Sequence, residues 1–319
     1  MIGLDELQAA AHNVYQAMLP TPQYAWPLLA RRTGREVWVK HENHTPTGAF
    51  KVRGGLNLLA QIASSGAPLA GIVSATRGNH GQSLAFAAKR HCVRCVIVVP
   101  RGNSSDKNVA MRVFGAELIE YGRDFDEARE YAGGLASEQA LRFVGPFDRE
   151  LVAGVGTYAL ELFRAVSGIE TVYVPIGCGS GICGLISARD ALHLSTEIVG
   201  VVSTSANAYA QSFTAGRAVP TPTANTMADG MAVRVPVPAA LGVIVKGAAR
   251  IIEVTDAEIE DAIRVYFTDT HQVVEGAGAA PLAALQKEGD RAGRKVALIL
   301  TGGNIDRELY LRVLSGSWT

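Results

Sequence analysis

The sequence has no excess charge of either sign, because 30 lysine and arginine residues balance 30 aspartate and glutamate residues. A balanced surface gives no electrostatic attraction for nucleic acid or an anionic membrane, so we expect neither as a partner. Apolar runs of membrane-spanning length are also missing. The N-terminal segment, with Asp5 and Glu6, is typical of a polar-faced helix and not of a signal peptide. We therefore expect a soluble, cytoplasmic protein.

Cysteine is scarce, with four residues in the whole chain: Cys92, Cys95, Cys178 and Cys183. The first two have the spacing of half a zinc or redox site, but no second Cys or His pair follows at ligand spacing. They lie in a strand-like apolar run, so we interpret them as small buried hydrophobic residues. So few cysteines do not indicate a disulfide framework.

Short β-rich runs alternate with segments of helical spacing, which predicts an α/β fold with parallel sheets covered on both faces. A soft boundary near residues 145–148 suggests a small domain, residues 69–147, inserted between two parts of a large domain, residues 1–68 and 148–319. The predicted strands occupy residues 37–40, 71–74, 96–99, 117–120, 172–176, 198–202 and 296–300.

Four segments beside these strands carry residues suited to chemistry. Lys51 lies on a glycine-flanked turn after Phe50, where a lysine that is partly unprotonated can form a Schiff base. Taken alone, it also fits a surface lysine. The turn at residues 74–82 carries Asn79 at a helix start, which suits a carboxylate or phosphate. The hydroxyl of Thr301 follows a strand end and precedes paired glycines, which is typical of a ligand edge.

The fourth segment, residues 177–184, follows an apolar strand and opens a helix, so its small residues and free N–H groups suit a phosphate. Its Gly-x-Gly-x-x-Gly spacing also matches a dinucleotide fingerprint. That interpretation requires a carboxylate at the end of the next strand, and residues 202–205 provide none. An anion site is therefore favoured over a nicotinamide dinucleotide site.

In order and spacing, these segments resemble the fold-type-II pyridoxal-phosphate enzymes, in particular the threonine/serine dehydratase and serine racemase branch. The resemblance covers residues 20–306 and includes a fifth motif at residues 227–233. It implies two open, twisted, mostly parallel sheets flanked by helices, with pyridoxal 5'-phosphate as cofactor and an amino acid as substrate. It also implies a homodimer.

The resemblance assigns roles to individual residues. Lys51 would carry the cofactor and later remove the substrate α-proton. Phe50 would pack against the pyridine ring, Asn79 would bond its 3-hydroxyl, and Thr301 would face its nitrogen. Glu275 matches a family glutamate near the ring. The phosphate would be held by Gly177, Cys178, Gly179, Ser180 and Gly181, and the substrate carboxylate by Thr76, Arg77, Gly78, Asn79 and His80.

The implied reaction is elimination of water from a β-hydroxy amino acid, giving a 2-oxo acid and ammonia. Racemisation or β-replacement on the same scaffold is an alternative, and a non-catalytic amino-acid or nucleotide sensor is another. Arg77 departs from the family pattern, which has serine or alanine there. A guanidinium stays protonated and is a poor base, so racemisation by that route is disfavoured.

Two interpretations of Arg77 stay open at this point. Its guanidinium would meet a second carboxylate or an aromatic ring on a substrate such as 3-hydroxyaspartate or phenylserine. Alternatively, it points to solvent or pairs with a nearby acid. A second departure is at residues 203–209, which have no carboxylate where some relatives bind a divalent cation. We therefore expect no metal there.

Overall fold

The computed structural model describes residues 2–316, apart from the side chain of Asp290. It contains two sheets. The larger has six strands in the order β1-β2-β10-β7-β8-β9, and β1 alone is antiparallel to its neighbour. The strands of this sheet are β1 (Gln23–Ala25), β2 (Glu36–His41), β7 (Thr171–Pro175), β8 (Glu197–Ser203), β9 (Arg250–Val254) and β10 (Lys295–Leu300).

The smaller sheet has four parallel strands in the order β5-β4-β3-β6. They are β3 (Ile72–Ala75), β4 (Cys95–Val99), β5 (Glu117–Glu120) and β6 (Arg142–Phe143). All seven strands predicted from the sequence are present, and the α/β class with two mostly parallel sheets is confirmed. The strands β1, β6 and β9 were not predicted.

Helices connect the strands and cover the sheets. The first part of the chain contains α1 (Leu4–Tyr15), α2 (Pro27–Thr33), α3 (Lys51–Ser64), α4 (Asn79–Arg90), α5 (Ser105–Val113) and α6 (Phe125–Glu138). The second part contains α7 (Arg149–Ala165), α8 (Ser180–Ala191), α9 (Ala208–Ala215), α10 (Pro238–Gly247), α11 (Asp256–Thr270), α12 (Gly276–Glu288) and α13 (Arg307–Ser315). A side-chain N-cap is present at α5, α6 and α11, from Ser104, Asp124 and Thr255 respectively. At α11, Thr255 and Glu258 form a complete capping box.

The apolar core is divided between the two sheets. Val52 and Leu56 of α3 belong to one apolar cluster with Ile72 and Ile97 of the small sheet. The helix that begins with Lys51 packs mainly against α4 and α7. A separate, larger cluster fills the space around the six-stranded sheet. The division into a large domain, residues 1–68 and 148–319, and a small domain, residues 69–147, stays a prediction.

The four cysteines are free thiols, but their environments differ. Cys95 begins β4 and is buried, as expected. The prediction for Cys92 was wrong, because Cys92 is exposed in the turn after α4, where its φ of 52° breaks the strand-like run. No helix in residues 2–316 has the length and hydropathy to cross a bilayer.

A buried ionic cluster joins α3 to the large sheet. The guanidinium of Arg53 has no solvent exposure and donates hydrogen bonds to both Glu42 and Glu161 at 2.6–2.9 Å. Its remaining bonds go to the hydroxyls of Thr21 and Thr157. Lys40 on β2 donates to Glu161 as well, so two cations balance two carboxylates. Pairing of this kind is what permits charges in a core.

We predict that Arg53→Met costs about 3–5 kcal/mol of unfolding free energy, because it leaves two buried carboxylates with one cation. Arg94→Met is the matched control: Arg94 pairs with Glu117 in a bidentate fashion at 2.8–2.9 Å, but on the surface. Its loss is expected to cost about 0–1 kcal/mol. Urea unfolding measures both, and equal losses would contradict the prediction.

Candidate active site

Backbone and side-chain hydrogen bonds bring the predicted motifs to one place. The N–H of Phe50 donates to the carbonyl of Thr301 at 2.9 Å. Lys51 Nζ donates to Ser180 Oγ at 2.8 Å. Asn304, three residues after Thr301, donates its amide to Asn79 Oδ1 at 2.8 Å. Strand ends of both sheets therefore meet around Lys51, as expected for ligand sites in open α/β sheets.

Lys51 is the first residue of α3, and its environment suits a nucleophilic amine. Burial lowers the pKa of Lys51 below its usual range, while the nearby Cys178 opposes that shift. The positive N-terminal end of α3 also disfavours an ammonium at this position. Ser83 donates to the Lys51 carbonyl at 2.6 Å and fixes the backbone. A larger fraction of this amine is therefore neutral than of a lysine amine on the surface.

The loop at residues 177–181 forms a compact cradle at the start of α8. A Cβ on Gly177 would lie 2.1 Å from the carbonyl oxygen of Gly230, so a larger residue does not fit. Gly179 has a φ of +96°, a left-handed conformation that glycine adopts without strain. The first N–H groups of α8 have no acceptor within the helix. This arrangement suits a phosphate.

Tyr209 braces the cradle and was not identified from the sequence as a functional residue. Its hydroxyl donates to the carbonyl of Cys178 at 3.2 Å and accepts from the N–H of Val237 at 3.0 Å. Nothing in the spacing of α9 indicates this contact, which depends on how α9 and α10 pack. Ser180 of the cradle is buried, and its hydroxyl lies beside Lys51.

Asn79 is held in one orientation from both sides. Its Nδ2 donates to Oε1 and Oε2 of Glu275, both at 3.0 Å, and its Oδ1 accepts from Asn304. Asn304 also donates to the carbonyl of Thr47 at 2.8 Å. Asn304 follows the paired glycines after Thr301, and these bonds show that it orients Asn79, a role that we did not predict from the sequence. With its amide fixed, Asn79 offers its remaining capacity to a ligand.

Glu275 is a buried carboxyl at the start of α12. Burial, reinforced by the charge of Asp229, raises the pKa of Glu275 to about 7, although Asn79 and Lys107 favour the charged form. The sequence had suggested Glu275 only as lying near the cofactor. The structure places it against Asn79, where it is close to half protonated at neutral pH.

Thr301 follows the end of β10, and its Oγ1 is buried without a hydrogen-bond partner. An unpaired buried hydroxyl costs about 1–3 kcal/mol, so it marks a position that a ligand atom would complete. The backbone of Phe50 is hydrogen-bonded to that of Thr301. The Phe50 ring meets the Tyr158 ring edge-on, with 6.5 Å between the ring centroids.

Residues 76–80 contribute in different ways. Thr76 Oγ1 accepts the N–H of Gly78 at 3.1 Å and shapes the turn before α4. Burial and the charge of Lys51 lower the pKa of His80 to about 3, so its ring is neutral. That ring faces the carbonyl of Val144, which leaves only the His80 backbone for a ligand. Arg77 is exposed and pairs with no acid among the described residues.

The predicted site residues therefore occupy one region, while their individual roles stay predictions. The unpartnered Thr301 hydroxyl, the Gly177 cradle and the Lys51 amine fit a pyridine nitrogen, a phosphate and a carbonyl carbon respectively. Pyridoxal phosphate carries all three. No group of His, Cys, Asp and Glu that could hold a metal occurs in the described part of the chain, and the expectation of no metal stays a prediction.

Comparison with known proteins indicates the same cofactor. A family model described as pyridoxal-phosphate dependent enzyme matches residues 14–302. The chain is 33% identical to an L-threonine ammonia-lyase of Thermotoga maritima over 99% of this chain and 79% of that protein. It is 30% identical to an L-threo-3-hydroxyaspartate ammonia-lyase of Saccharomyces cerevisiae, over 96% and 94% respectively. The crystal structure of a threonine deaminase from T.th. matches with a TM-score of 0.89 and 32% identity, over 95% and 99% respectively.

We predict that Thr301→Val leaves the stability of the cofactor-free protein unchanged or raises it by about 1 kcal/mol, because the lost hydroxyl has no partner. Thr196→Val is the control, since the buried Thr196 hydroxyl donates to the Ile169 carbonyl at 2.8 Å. The control is expected to lose about 1 kcal/mol. Denaturant unfolding compares them, and an equal loss in both variants would count against an unpaired Thr301.

We also predict a specific pH dependence from Glu275. Its pKa is about 7 in the fold and about 4.3 when unfolded, so the folded cofactor-free protein binds the extra proton between these values. The contribution of Glu275 protonation to the free energy of unfolding is therefore complete below about pH 4. As the pH rises to about 7, roughly 3–4 kcal/mol of this contribution is lost.

The comparison of wild type with Glu275→Gln isolates this effect from other titrating groups. The wild-type free energy of unfolding should fall relative to that of the variant between about pH 4.5 and 7, and the difference should be constant above that range. Denaturant unfolding at a series of pH values tests it. Parallel curves would show that Glu275 titrates normally.

Proposed function

This chain belongs to the family of pyridoxal-phosphate-dependent enzymes, and from that premise we propose that it eliminates water from a β-hydroxy amino acid. The products are a 2-oxo acid and ammonia. The observation that carries the proposal is the contact of Lys51 Nζ with Ser180 Oγ beside the phosphate-type cradle and the unpaired Thr301 hydroxyl. The relatives named above as threonine and 3-hydroxyaspartate ammonia-lyases support the reaction type.

Lys51 would have two successive tasks: it would hold the cofactor covalently, and, once the substrate amine has replaced it there, its free Nζ would accept the substrate α-proton. The lowered pKa of Lys51 favours both, because a neutral amine is a nucleophile and a base. Ser180 Oγ accepts a hydrogen bond from Nζ and directs it. When bound, pyridoxal phosphate supplies the electron sink that stabilises negative charge at the α-carbon.

The turn at residues 76–80 orients the substrate through its α-carboxylate. The backbone N–H groups at the start of α4 and the positive end of that helix both favour an anion. Thr76 holds the turn in shape through Gly78. A carboxylate fixed here presents the α-carbon to Lys51 in a defined geometry, which supplies a large part of the rate enhancement.

Two residues favour elimination over racemisation. The hydroxyl of Thr301 would hold the ring nitrogen of the cofactor, and a hydroxyl carries no negative charge to keep that nitrogen protonated. The cofactor would then be a weaker electron sink, which would favour rapid loss of a β-hydroxyl over racemisation. Arg77 stands where a racemase of this branch has a serine base, and a guanidinium does not serve as a base at neutral pH.

The proposal also includes a cytoplasmic location and a homodimer. The four free thiols fit a reducing compartment. Leu19, Tyr24 and Leu28 are exposed apolar side chains in the N-terminal segment around the edge strand β1, with Leu19 82% exposed. Exposed apolar side chains close together in the sequence support a subunit contact in this segment. Light scattering of the purified protein measures the oligomeric state.

We predict that Lys51→Ala abolishes the visible absorbance of the bound cofactor and its bleaching by borohydride. The release of 2-oxo acid should fall by about 10³-fold or more, because the covalent anchor and the base are both lost. The substrates are serine, threonine, 3-hydroxyaspartate and phenylserine. Lys246→Ala, at an exposed lysine of α10, is the control and should retain both signals. Absorbance retained in Lys51→Ala would disprove the assignment.

A further inference from the structure

A cavity of about 320 Å³ lies beside the turn that precedes Asn79. Its walls come from that turn, from the loop after β4, from the start of α5 and from segments after β5 and β10. The charged side chains that line it are four cations and two carboxylates: Arg77, Arg101, Lys107, Arg123, Asp229 and Asp306. The cavity therefore has an excess of positive charge, which favours an anionic ligand.

Two of the cations are already engaged. Lys107 forms an ion pair with Asp229, and Arg123 bonds the carboxylate of Glu127. The guanidinium groups of Arg77 and Arg101 form no hydrogen bond or ion pair within the described residues, although the backbone N–H of Arg101 donates to Gly122. These two guanidinium groups line one cavity and are not paired with an acid. They are suited to binding a carboxylate, which a guanidinium holds in a bidentate fashion.

The cavity adjoins the reaction centre. Arg77 is two residues before Asn79, whose amide is fixed by Glu275. A Cβ on Gly78 would lie 2.9 Å from the Lys107 side chain, so the turn and the cavity wall are in contact. Asp229, which also lines the cavity, precedes Gly230, whose carbonyl packs against Gly177 of the cradle. The cavity thus lies between the carboxylate turn and the segment that covers the phosphate loop.

We propose that Arg77 and Arg101 bind a second carboxylate at the end of the substrate side chain, so that the enzyme prefers a dicarboxylic β-hydroxy amino acid such as 3-hydroxyaspartate. This inference rests on the proposed function and names its substrate class. The β-hydroxyl leaves as water, and one water hydrolyses the released imine. The products are a four-carbon 2-oxo dicarboxylate and ammonia, and no oxidant or reductant is required.

The test is the ratio of kcat/KM for 3-hydroxyaspartate, as separate threo and erythro isomers, to kcat/KM for serine, measured with the cofactor-loaded enzyme. Wild type should favour one 3-hydroxyaspartate isomer over serine, threonine and phenylserine. Arg101→Met and Arg77→Met should each lower the ratio by about 10- to 100-fold, the size expected for a hydrogen bond between charged groups. Arg101→Lys, which keeps the charge without the bidentate geometry, should fall between wild type and Arg101→Met.

Arg129→Met is the matched control, because Arg129 lies on α6 and outside the cavity. It should leave the ratio unchanged. Succinate should inhibit competitively against serine, with an inhibition constant that rises about 10-fold or more in Arg101→Met. This binding readout remains informative if a variant loses turnover.

The outcomes separate this inference from the proposed function. An unchanged ratio in Arg101→Met and Arg77→Met, with serine turned over, overturns the dicarboxylate preference alone. A preference for phenylserine overturns it too. Activation or non-competitive inhibition by succinate would show that the cavity binds an anion apart from the substrate, and would also overturn it. Absence of 2-oxo acid from every β-hydroxy amino acid overturns the proposed function and this inference together.

Discussion

The buried guanidinium of Arg53 is the contact on which the arrangement of the site depends. It lies two residues after Lys51 on α3 and binds Glu42, just after β2, and Glu161 on α7. These bonds fix the start of α3 relative to α7 and to the segment after β2, while Val52 and Leu56 of the same helix join the apolar cluster of the small sheet. The helix that begins with the reactive lysine is therefore anchored by ionic bonds on one side and by apolar burial on the other.

The chemistry at the site follows from where charge is left uncompensated. In the Arg53 cluster, cations and carboxylates are equal in number, and every charged group has partners. Lys51 and Glu275 do not have a full set of opposite charges around them. Burial lowers the pKa of Lys51 and raises that of Glu275, so the neutral form of each is favoured. The same core thus contains fully paired charges that provide rigidity and partly paired charges that exchange protons.

The sequence predicted the strands and turns of the site well, because those features depend on local order. The glycine-rich loop before α8 and the strand end before Thr301 follow from neighbouring residues alone. The contacts that finish the site do not. Asn304 reaches Asn79 across 225 positions, and Tyr209 reaches Cys178 across 31, distances at which spacing contains no information.

Other differences between the prediction and the structure have their own physical causes. Cys92 occupies a left-handed turn after α4, so the strand within this apolar run begins only at Cys95. The strands β1 and β6 have three and two residues, too few for an alternating pattern to be recognised. Glutamate and arginine are usually found on protein surfaces, so the sequence did not indicate that Glu42, Glu161 and Arg53 are buried. Their mutual pairing in three dimensions explains their burial.

The unpaired hydroxyl of Thr301 has a consequence for the life of the protein in a cell. The folded chain without cofactor contains a buried polar group in an unfavourable state, and a ligand that binds only the folded form raises stability by mass action. Small differences in stability change how much of a protein is cleared by proteases. We therefore expect cofactor binding to stabilise the folded chain, so that cofactor-free chains are cleared by proteases faster than loaded ones.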